Sequence, residues 1–367
     1  MAGADKPVDM AERWTVGLMS GTSCDGIDVA LVCTDGRTRV EAGGFATFPY
    51  GERFRARLRE ILGGRGAVAA VERDLTLRHA RAVRTLLRRH ALSAAEIAAV
   101  GFHGHTILHA PERRRTWQIG DGALLAARTG IDVVCDFRSR DVAEGGEGAP
   151  LAPIYHAALA ERLERPLAVL NIGGVSNVTW IGPDGALLAF DTGPGNALID
   201  DWAFKHTGRP IDQDGALAFG GAVCEDALRG LLSHPYFGRP PPKSLDRDAF
   251  NRSLVARLSP ADGAATLTAF TARAVAAARD HLPSPPRRWL VTGGGRHNSA
   301  LMAALRDLLG APVEPVEAVG WHGDALEAQA FAYLAVRSLL GLPLSFPSTT
   351  GVPAPATGGR LHRAPRA

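Results

Sequence analysis

Two stretches of this chain run through the same order of elements, and that repetition limits the available folds more than any other feature. Residues 14–19, 27–33 and 39–47 are short apolar runs joined by turns, the pattern of three successive strands. Two helical stretches follow, the second over 71–90 with Val71, Leu75, Ala82, Leu86 and Leu87 near one face. Ser93 with Glu96 is a capping-box signal for a short helix to Ala99. Strands over 100–104 and 117–119, a helix over 122–129 and a strand over 133–136 complete the first series. The second series has strands at 167–172, 178–181 and 187–191, then helices at 197–206, 223–232, 247–258 and 264–281. A strand over 289–292 leads through three glycines into a helix over 299–309, and a last helix, 324–340, precedes a Pro/Gly/Thr-rich tail. At 367 residues the chain is past the size at which a single core keeps growing. The order therefore reads as α/β with two related lobes rather than one doubly wound sheet with insertions. The N-terminal lobe spans 1–165, with the segment 341–367 packing back on it, and the C-terminal lobe spans 166–340.

Charge and cysteine content exclude several classes. Lys plus Arg against Asp plus Glu gives 41 − 38 = +3, with no clustered basic face of the kind nucleic acid requires. Arg84, Arg88, Arg89 and Arg113 to Arg115 read as a solvated helix face and a loop. Asp5, Asp9 and Glu12 precede any apolar run, so no signal peptide is expected, and no apolar stretch approaches the ~20 residues of a membrane span. Cys24, Cys33, Cys135 and Cys224 show no CxxC spacing and suit a reducing compartment, which predicts a cytoplasmic protein.

Three glycine-rich turns each follow an apolar strand. The first is Ser20-Gly21-Thr22-Ser23-Cys24-Asp25-Gly26, where small hydroxyl residues between glycines can donate to phosphate oxygens and Asp25 can hold Mg²⁺, directly or through water. The second is Asn171-Ile172-Gly173-Gly174, and the third is Gly293-Gly294-Gly295 running to Asn298. None fits a P-loop or a convincing dinucleotide fingerprint, and each alone reads equally well as a tight turn. Three in this order, split between two lobes, point to phosphate binding.

Asp191 ends a strand before the Gly193-Pro194-Gly195 turn, where α/β proteins place chemistry, and Asn196 is better placed than Asp191 to cap the following helix. Glu327, at the start of an Ala-rich helix, reads on its own as a charge favourable to the helix dipole. His103, His105 and His109 lack a neighbouring Cys or carboxylate at zinc spacing and read as cleft-lining or partly buried groups. The stretch 136–150 is too glycine-rich for a helix and reads as an ordered loop facing an anionic substrate. Lys243-Ser244 reads as either a substrate contact or an exposed turn.

Taken together, LMSGTSCDGIDVALV, GFHGHTILHAP, the long segment from QIGDGALLAARTG to DFRSRDVAEGGEGAPLAP, NIGGVSNVTWI, FDTGPGNALIDDW, PYFGRPPPKS, VTGGGRHN and DALEAQAFAYLAVR resemble the anhydro-N-acetylmuramic acid kinase family, in order from about Trp14 to Gly351. The resemblance implies two lobes of the actin/hexokinase-like (ribonuclease H-like) fold closing on ATP in an interlobe cleft, with a small-molecule sugar as substrate, a homodimer as the assembly, and no nucleic-acid or membrane partner. It implies ATP-dependent phosphorylation of 1,6-anhydro-N-acetylmuramic acid at O6 with hydrolytic opening of the anhydro ring, in recycling of cell-wall peptidoglycan. By the same resemblance Asp191 matches the general base and Glu327 a second acid near the sugar. Gly21, Thr22, Ser23, Cys24, Asp25, Gly26, Ile27 and Asp28 match the N-terminal ATP segment. Asn171, Gly173, Gly174, Gly293, Gly294, Gly295 and Asn298 are expected at the nucleotide. His103, Arg138, Gly193 and Asn196 are expected at the sugar, with Arg138, Arg140 and Lys243 the candidates for its lactyl carboxylate. His105, Gly122 and Glu147 stand where the family usually has Gln, Pro and Gln, and Cys24 replaces a larger apolar residue. Rival readings are a kinase of another sugar, a sugar-sensing repressor and a plain glycosidase. Only 13 residues precede Trp14, too few for a helix-turn-helix, and the three phosphate-type turns count against the glycosidase.

Overall fold

In the computed structural model, which describes residues 13–21, 24–245, 249–250 and 252–365, the first three strands form an antiparallel meander. These are β1 (Trp14–Ser20), β2 (Gly26–Thr34) and β3 (Val40–Pro49). The chain then makes the long helix Val68–Arg89 and β4 (Ile97–Ala110), which lies parallel to β1 on the side away from β2. β5 (Arg115–Ile119) folds back on β4, and β6 (Val133–Cys135) adds parallel to it. The terminal strand Arg360–His362 closes that edge antiparallel to β6.

A second sheet repeats this plan. β7 (Leu167–Ile172), β8 (Val175–Ile181) and β9 (Leu187–Pro194) form an antiparallel meander. β10 (Trp289–Thr292) and β11 (Val313–Pro315) add in parallel beyond β7. The two sheets share one five-strand order, β3-β2-β1-β4-β6 in the first and β9-β8-β7-β10-β11 in the second, in which β2 or β8 alone runs antiparallel; β5 and the terminal strand add antiparallel to the first sheet beyond this ribonuclease H-like order of actin/hexokinase-type domains. The chain's internal contacts divide it into two units, one of Met1–Arg162, Ala325–Pro347 and Val352–Ala367, the other of Leu163–Asp324 and Ser348–Gly351.

Burial explains the local choices. Helix Val68–Arg89 buries Val71, Leu75, His79, Ala82, Val83 and Leu86, an i, i+4 stripe against β2 and β3. Helix Leu326–Leu339 is buried all round from Ala328 to Arg337, with Ala328, Ala332 and Ala335 toward the first sheet. It lies on β1, β2 and β4 so closely that a Cβ at Gly17 would overlap the Ala328 carbonyl oxygen, and one at Gly101 would overlap that of Phe331. In the second unit, helices Pro260–Ala278 and Ser299–Leu309 cover a core of Ala168, Leu170, Val178, Phe190, Trp289 and Val291. No helix among the described residues is long and apolar enough to cross a membrane.

Several sequence expectations are corrected. The Ser93–Glu96 capping box exists, but it closes a single turn, Ala94–Glu96, because Ile97 already pairs with Trp14 in the parallel ladder. The strand expected to stop at Asp191 continues to Pro194, held by pairing with Val175. Of the helix expected over 247–258, the described residues form only the turn Arg252–Val255, and residues 246–248 and 251 lie outside the described residues. The stretch 136–150 contains a short helix, Ser139–Ala143, whose buried Asp141 accepts from the Gly148 N–H at 2.6 Å. The last long helix belongs with the first sheet rather than the C-terminal lobe, since its small residues match Gly17 and Gly101.

Replacing Gly101 by Ala should therefore force the helix off β4 and cost about 1–3 kcal/mol. Chemical denaturation of the purified variant checks this, and a midpoint equal to the parent's would contradict the close approach.

Candidate active site

In the second unit, the site is built where strand ends meet. β9 pairs with β8 through a register shift: Ser176 faces Gly193, whereas Asn177 faces Asp191, so Thr192 is the extra residue of a bulge. Ser176 Oγ lies 2.6 Å from Thr192 Oγ1 and donates to Pro194 O at 3.0 Å, which fixes the Gly-Pro-Gly turn. Asp191 is half-buried and gripped from the segment 236–245. Its N–H donates to Lys243 O at 3.0 Å, its carbonyl accepts from Tyr236 OH at 2.5 Å, and its Oδ2 accepts from Leu245 N–H at 2.8 Å.

Three turns then converge. Asn196 N–H donates to Gly173 O at 2.7 Å and Gly195 N–H to Gly174 O at 3.0 Å. A Cβ on Gly195 would overlap the Gly173 carbonyl. Gly293 has φ +75°, and a Cβ there would come within 2.6 Å of Ile172 O, while Gly295 lies against the Ile172 side chain. The Asn196 side chain donates to Ile172 O at 3.2 Å instead of capping its helix, correcting the role expected from its position. Asn171, Gly173, Gly174, Asn196 and Gly293 to Gly295 are thus brought together. Asn298, expected at the nucleotide, spends its Oδ1 on the N–H of Leu301 as the cap of helix Ser299–Leu309. Gly193 packs on Ala274, where a Cβ would lie 2.7 Å away. Lys243 is not an exposed turn residue: it is 3% exposed, inside the loop.

In the first unit, the turn after β1 rests on a buried polar cluster. Ser20 Oγ lies 3.0 Å from Tyr50 OH and 3.1 Å from His105 Nδ1, and His105 Nε2 lies 3.6 Å from Cys24 Sγ. Two of the four residues that depart from the resembled pattern, Cys24 and His105, therefore touch each other. Cys24 has φ +56°, a left-handed conformation that the Cys24 N–H to Gly21 O bond (3.0 Å) helps hold. Asp25 is exposed, with its carbonyl taken by Tyr50 N–H at 2.8 Å. Gly26 lies close under Phe48 O, Ile27 is a core residue, and Asp28 accepts from Thr47 Oγ1 at 2.6 Å. Thr22 and Ser23 lie outside the described residues.

Arg138 donates from Nε to His103 Nε2 at 3.0 Å and from a terminal nitrogen to Gly148 O at 2.7 Å. His103 Nε2 is then the acceptor, so Nδ1 carries the proton toward Gly104 O, 3.1 Å away. Arg140 pairs instead with Glu144 at 2.8 Å. Glu147 is half-buried, and a Cβ on Gly122 would lie 2.6 Å from the His362 ring, so a larger residue there requires the His362 side chain to move. Glu327 is exposed in the first turn of helix Leu326–Leu339. Among the described residues no three His, Cys, Asp or Glu side chains gather to hold a metal. A separate cavity of about 100 Å³ in the second unit, walled by Leu198, Trp202, Leu231, Phe250 and Leu267, contains none of the expected site residues.

The family model for anhydro-N-acetylmuramic acid kinase matches residues 13–364. The chain belongs to that family. It is 64% identical to the anhydro-N-acetylmuramic acid kinase of Paramagnetospirillum magneticum, over 95% of this chain and 99% of that one. It is 60% identical to the kinase of that name from Rhodospirillum rubrum, over 94% of this chain and 93% of the relative. Among solved structures, component A of (R)-2-hydroxyglutaryl-CoA dehydratase from Acidaminococcus fermentans is 14% identical, with a TM-score of 0.47 over 88% of this chain and 99% of that one.

Within this family member, sequence reasoning missed the grip of Tyr236 and Leu245 on Asp191 and the cluster under the first turn. PYFGRPPPKS was visible as a motif, but Tyr236 within it and Leu245 just beyond it meet Asp191 from 45 and 54 positions away. Burial is the leading cause that holds His79, His105 and His156 down from 6.5 to about 4, and it also lowers His103, with Arg138 beside it. The unfolded chain takes up these protons near pH 6.5 and the folded chain only near 4, so stability falls as pH drops through that window. Each histidine contributes a slope of up to about 1.4 kcal/mol per pH unit. Denaturation midpoints should decline steeply from pH 6.5 to 4, and His79→Leu should flatten the decline; a flat parent profile would count against burial of neutral imidazoles.

Proposed function

We propose that this family member uses ATP and water to convert 1,6-anhydro-N-acetylmuramic acid into N-acetylmuramic acid 6-phosphate and ADP, with Asp191 as the general base. The observation that carries the reading is the Asp191 carboxylate held through Oδ2 by the Leu245 N–H, on a bulged strand beside three converging glycine turns. In the anhydro sugar O6 is bonded to C1 and is no nucleophile until that bond opens. Asp191 takes a proton from water as the water oxygen bonds to C1, and the C1–O6 pair leaves on O6. O6 then attacks the γ-phosphoryl group, ADP departs, and Asp191 returns its proton to solvent.

Backbone N–H groups around Gly173, Gly174 and Gly293 to Gly295 suit the charge of the transferring phosphates, because glycine lets backbone approach where a side chain would not fit. The first turn, Gly21 to Asp28, serves the same nucleotide. Asp25 fits a nucleotide-bound Mg²⁺, directly or through water: its carboxylate is exposed while its carbonyl is occupied, and Mg²⁺ on nucleotides needs few protein carboxylates. That metal would neutralise phosphate charge. Arg138, fixed by His103 and Gly148, faces the sugar's lactyl carboxylate in this reading, with Gly193 and Asn196 near the ring and Glu327 as a second acid. The role belongs to recycling of peptidoglycan. The four free cysteines suit the reducing cytoplasm, and the homodimer implied by the family is read by sedimentation.

ADP release from purified protein with Mg²⁺ and ATP should require the anhydro sugar, with N-acetylmuramic acid and N-acetylglucosamine as controls. Turnover only on a control sugar would remove ring opening from the reaction. Asp191→Asn should lose several orders of magnitude in kcat while ATP binding, read by calorimetry, stays unchanged; parent-like turnover would remove Asp191 from the chemistry.

A further inference from the structure

Lys243 presents an ammonium group where packing alone would favour an apolar side chain. It is 3% exposed, and Nζ donates to Tyr236 O at 3.3 Å and Phe237 O at 3.4 Å, with His281 Nε2 at 3.3 Å. The same Nζ lies 4.8 Å from the Tyr236 ring centre and 5.7 Å from that of Phe190, the neighbour of Asp191 on β9. Among the described residues none of its partners is a carboxylate. Burying such a cation is costly unless its donors and charge are used.

What those donors hold is the loop that grips Asp191. Tyr236, whose carbonyl Lys243 takes, gives its hydroxyl to the Asp191 carbonyl, and Lys243's own carbonyl takes the Asp191 N–H. Two residues on, the Leu245 N–H reaches Asp191 Oδ2. We infer that Lys243 is a positioning residue for the Asp191 carboxylate: by tying the two ends of the 236–245 loop together it keeps the Leu245 N–H on Oδ2 and so fixes the carboxylate's rotation toward the attacking water. This rests on the reading of Asp191 as general base. Burial, with Arg239 nearby, pulls the ammonium down to about 8, consistent with a group engaged by carbonyls and rings rather than by an acid.

The test compares kcat and KM of Lys243→Met, Lys243→Gln, Tyr236→Phe and the Lys243→Met/Tyr236→Phe double variant on the anhydro sugar. Lys243→Met should lose roughly ten- to hundred-fold in kcat with KM for ATP within about twofold, the scale expected of a misplaced catalytic group. Lys243→Gln, which keeps amide donors, should recover several-fold, and the double variant should fall short of the product of the single losses because both act through one loop. A folded Lys243→Met enzyme with parent-like kcat, or a loss carried wholly by KM for ATP, overturns the inference while leaving the proposed reaction standing. If Lys243→Met does not fold, Lys243→Gln with Tyr236→Phe takes its place, and losses that multiply fully overturn it. A parent protein with no turnover of the anhydro sugar overturns the proposed reaction and this inference together.

Discussion

The second unit depends on backbone meeting backbone. Where the β7–β8 turn, the β9–helix turn and the turn after β10 converge, Gly195 lies on the Gly173 carbonyl and Gly293 on Ile172, at separations that exclude a Cβ. Glycine loses more conformational entropy on folding than any other residue, so such a cluster is costly unless close approach is needed. The approach sets the rest. It draws the Asn196 side chain to Ile172 O, it fixes where β9 must end, and the bulge at Thr192 then sets the direction in which Asp191 points.

The first unit repeats the strand order but supports its turn differently. At the end of β1 Ser20, Tyr50, His105 and Cys24 form a polar group closed off from water and joined by contacts of 3.0–3.6 Å. Satisfied polar groups of this kind define a unique geometry, because any displacement leaves a buried donor or acceptor unpaired. On the other face, Gly17 and Gly101 admit the helix Leu326–Leu339, whose alanines bring its backbone down on β1 and β4. One unit thus uses missing side chains to form its site, and the other uses buried side-chain pairing to hold its turn.

Much of this was legible in the residues. Strands 167–172 and 289–292 and helices 122–129 and 299–309 appear as expected, since each combines a clear period with Gly, Asp or Asn at its ends. Ser93 and Glu96 misled because a local cap was in competition with a ladder to Trp14, 83 positions away from Ile97. Asn196 and Asn298 sit in similar positions before helices, yet only Asn298 caps, because Asn196 meets Ile172 from another strand. Lys243 after three prolines carries no local sign of burial; its partners are Tyr236 and Phe237 at the other end of its own loop and His281 from a distant segment.

The alternation of strands and helices in two series, the three glycine turns, the carboxylate at the Gly-Pro-Gly turn and the kinase family could be read from the residues alone, because these are written in local period, turn chemistry and ordered motifs. Only the tertiary structure decided that the last long helix covers the first sheet, that Cys24 touches His105, and that Leu245 holds Asp191 by one oxygen. Those are pairings between segments far apart in the chain, and they are selected by which surfaces fit and which buried polar groups find partners, quantities that exist only once the chain is folded.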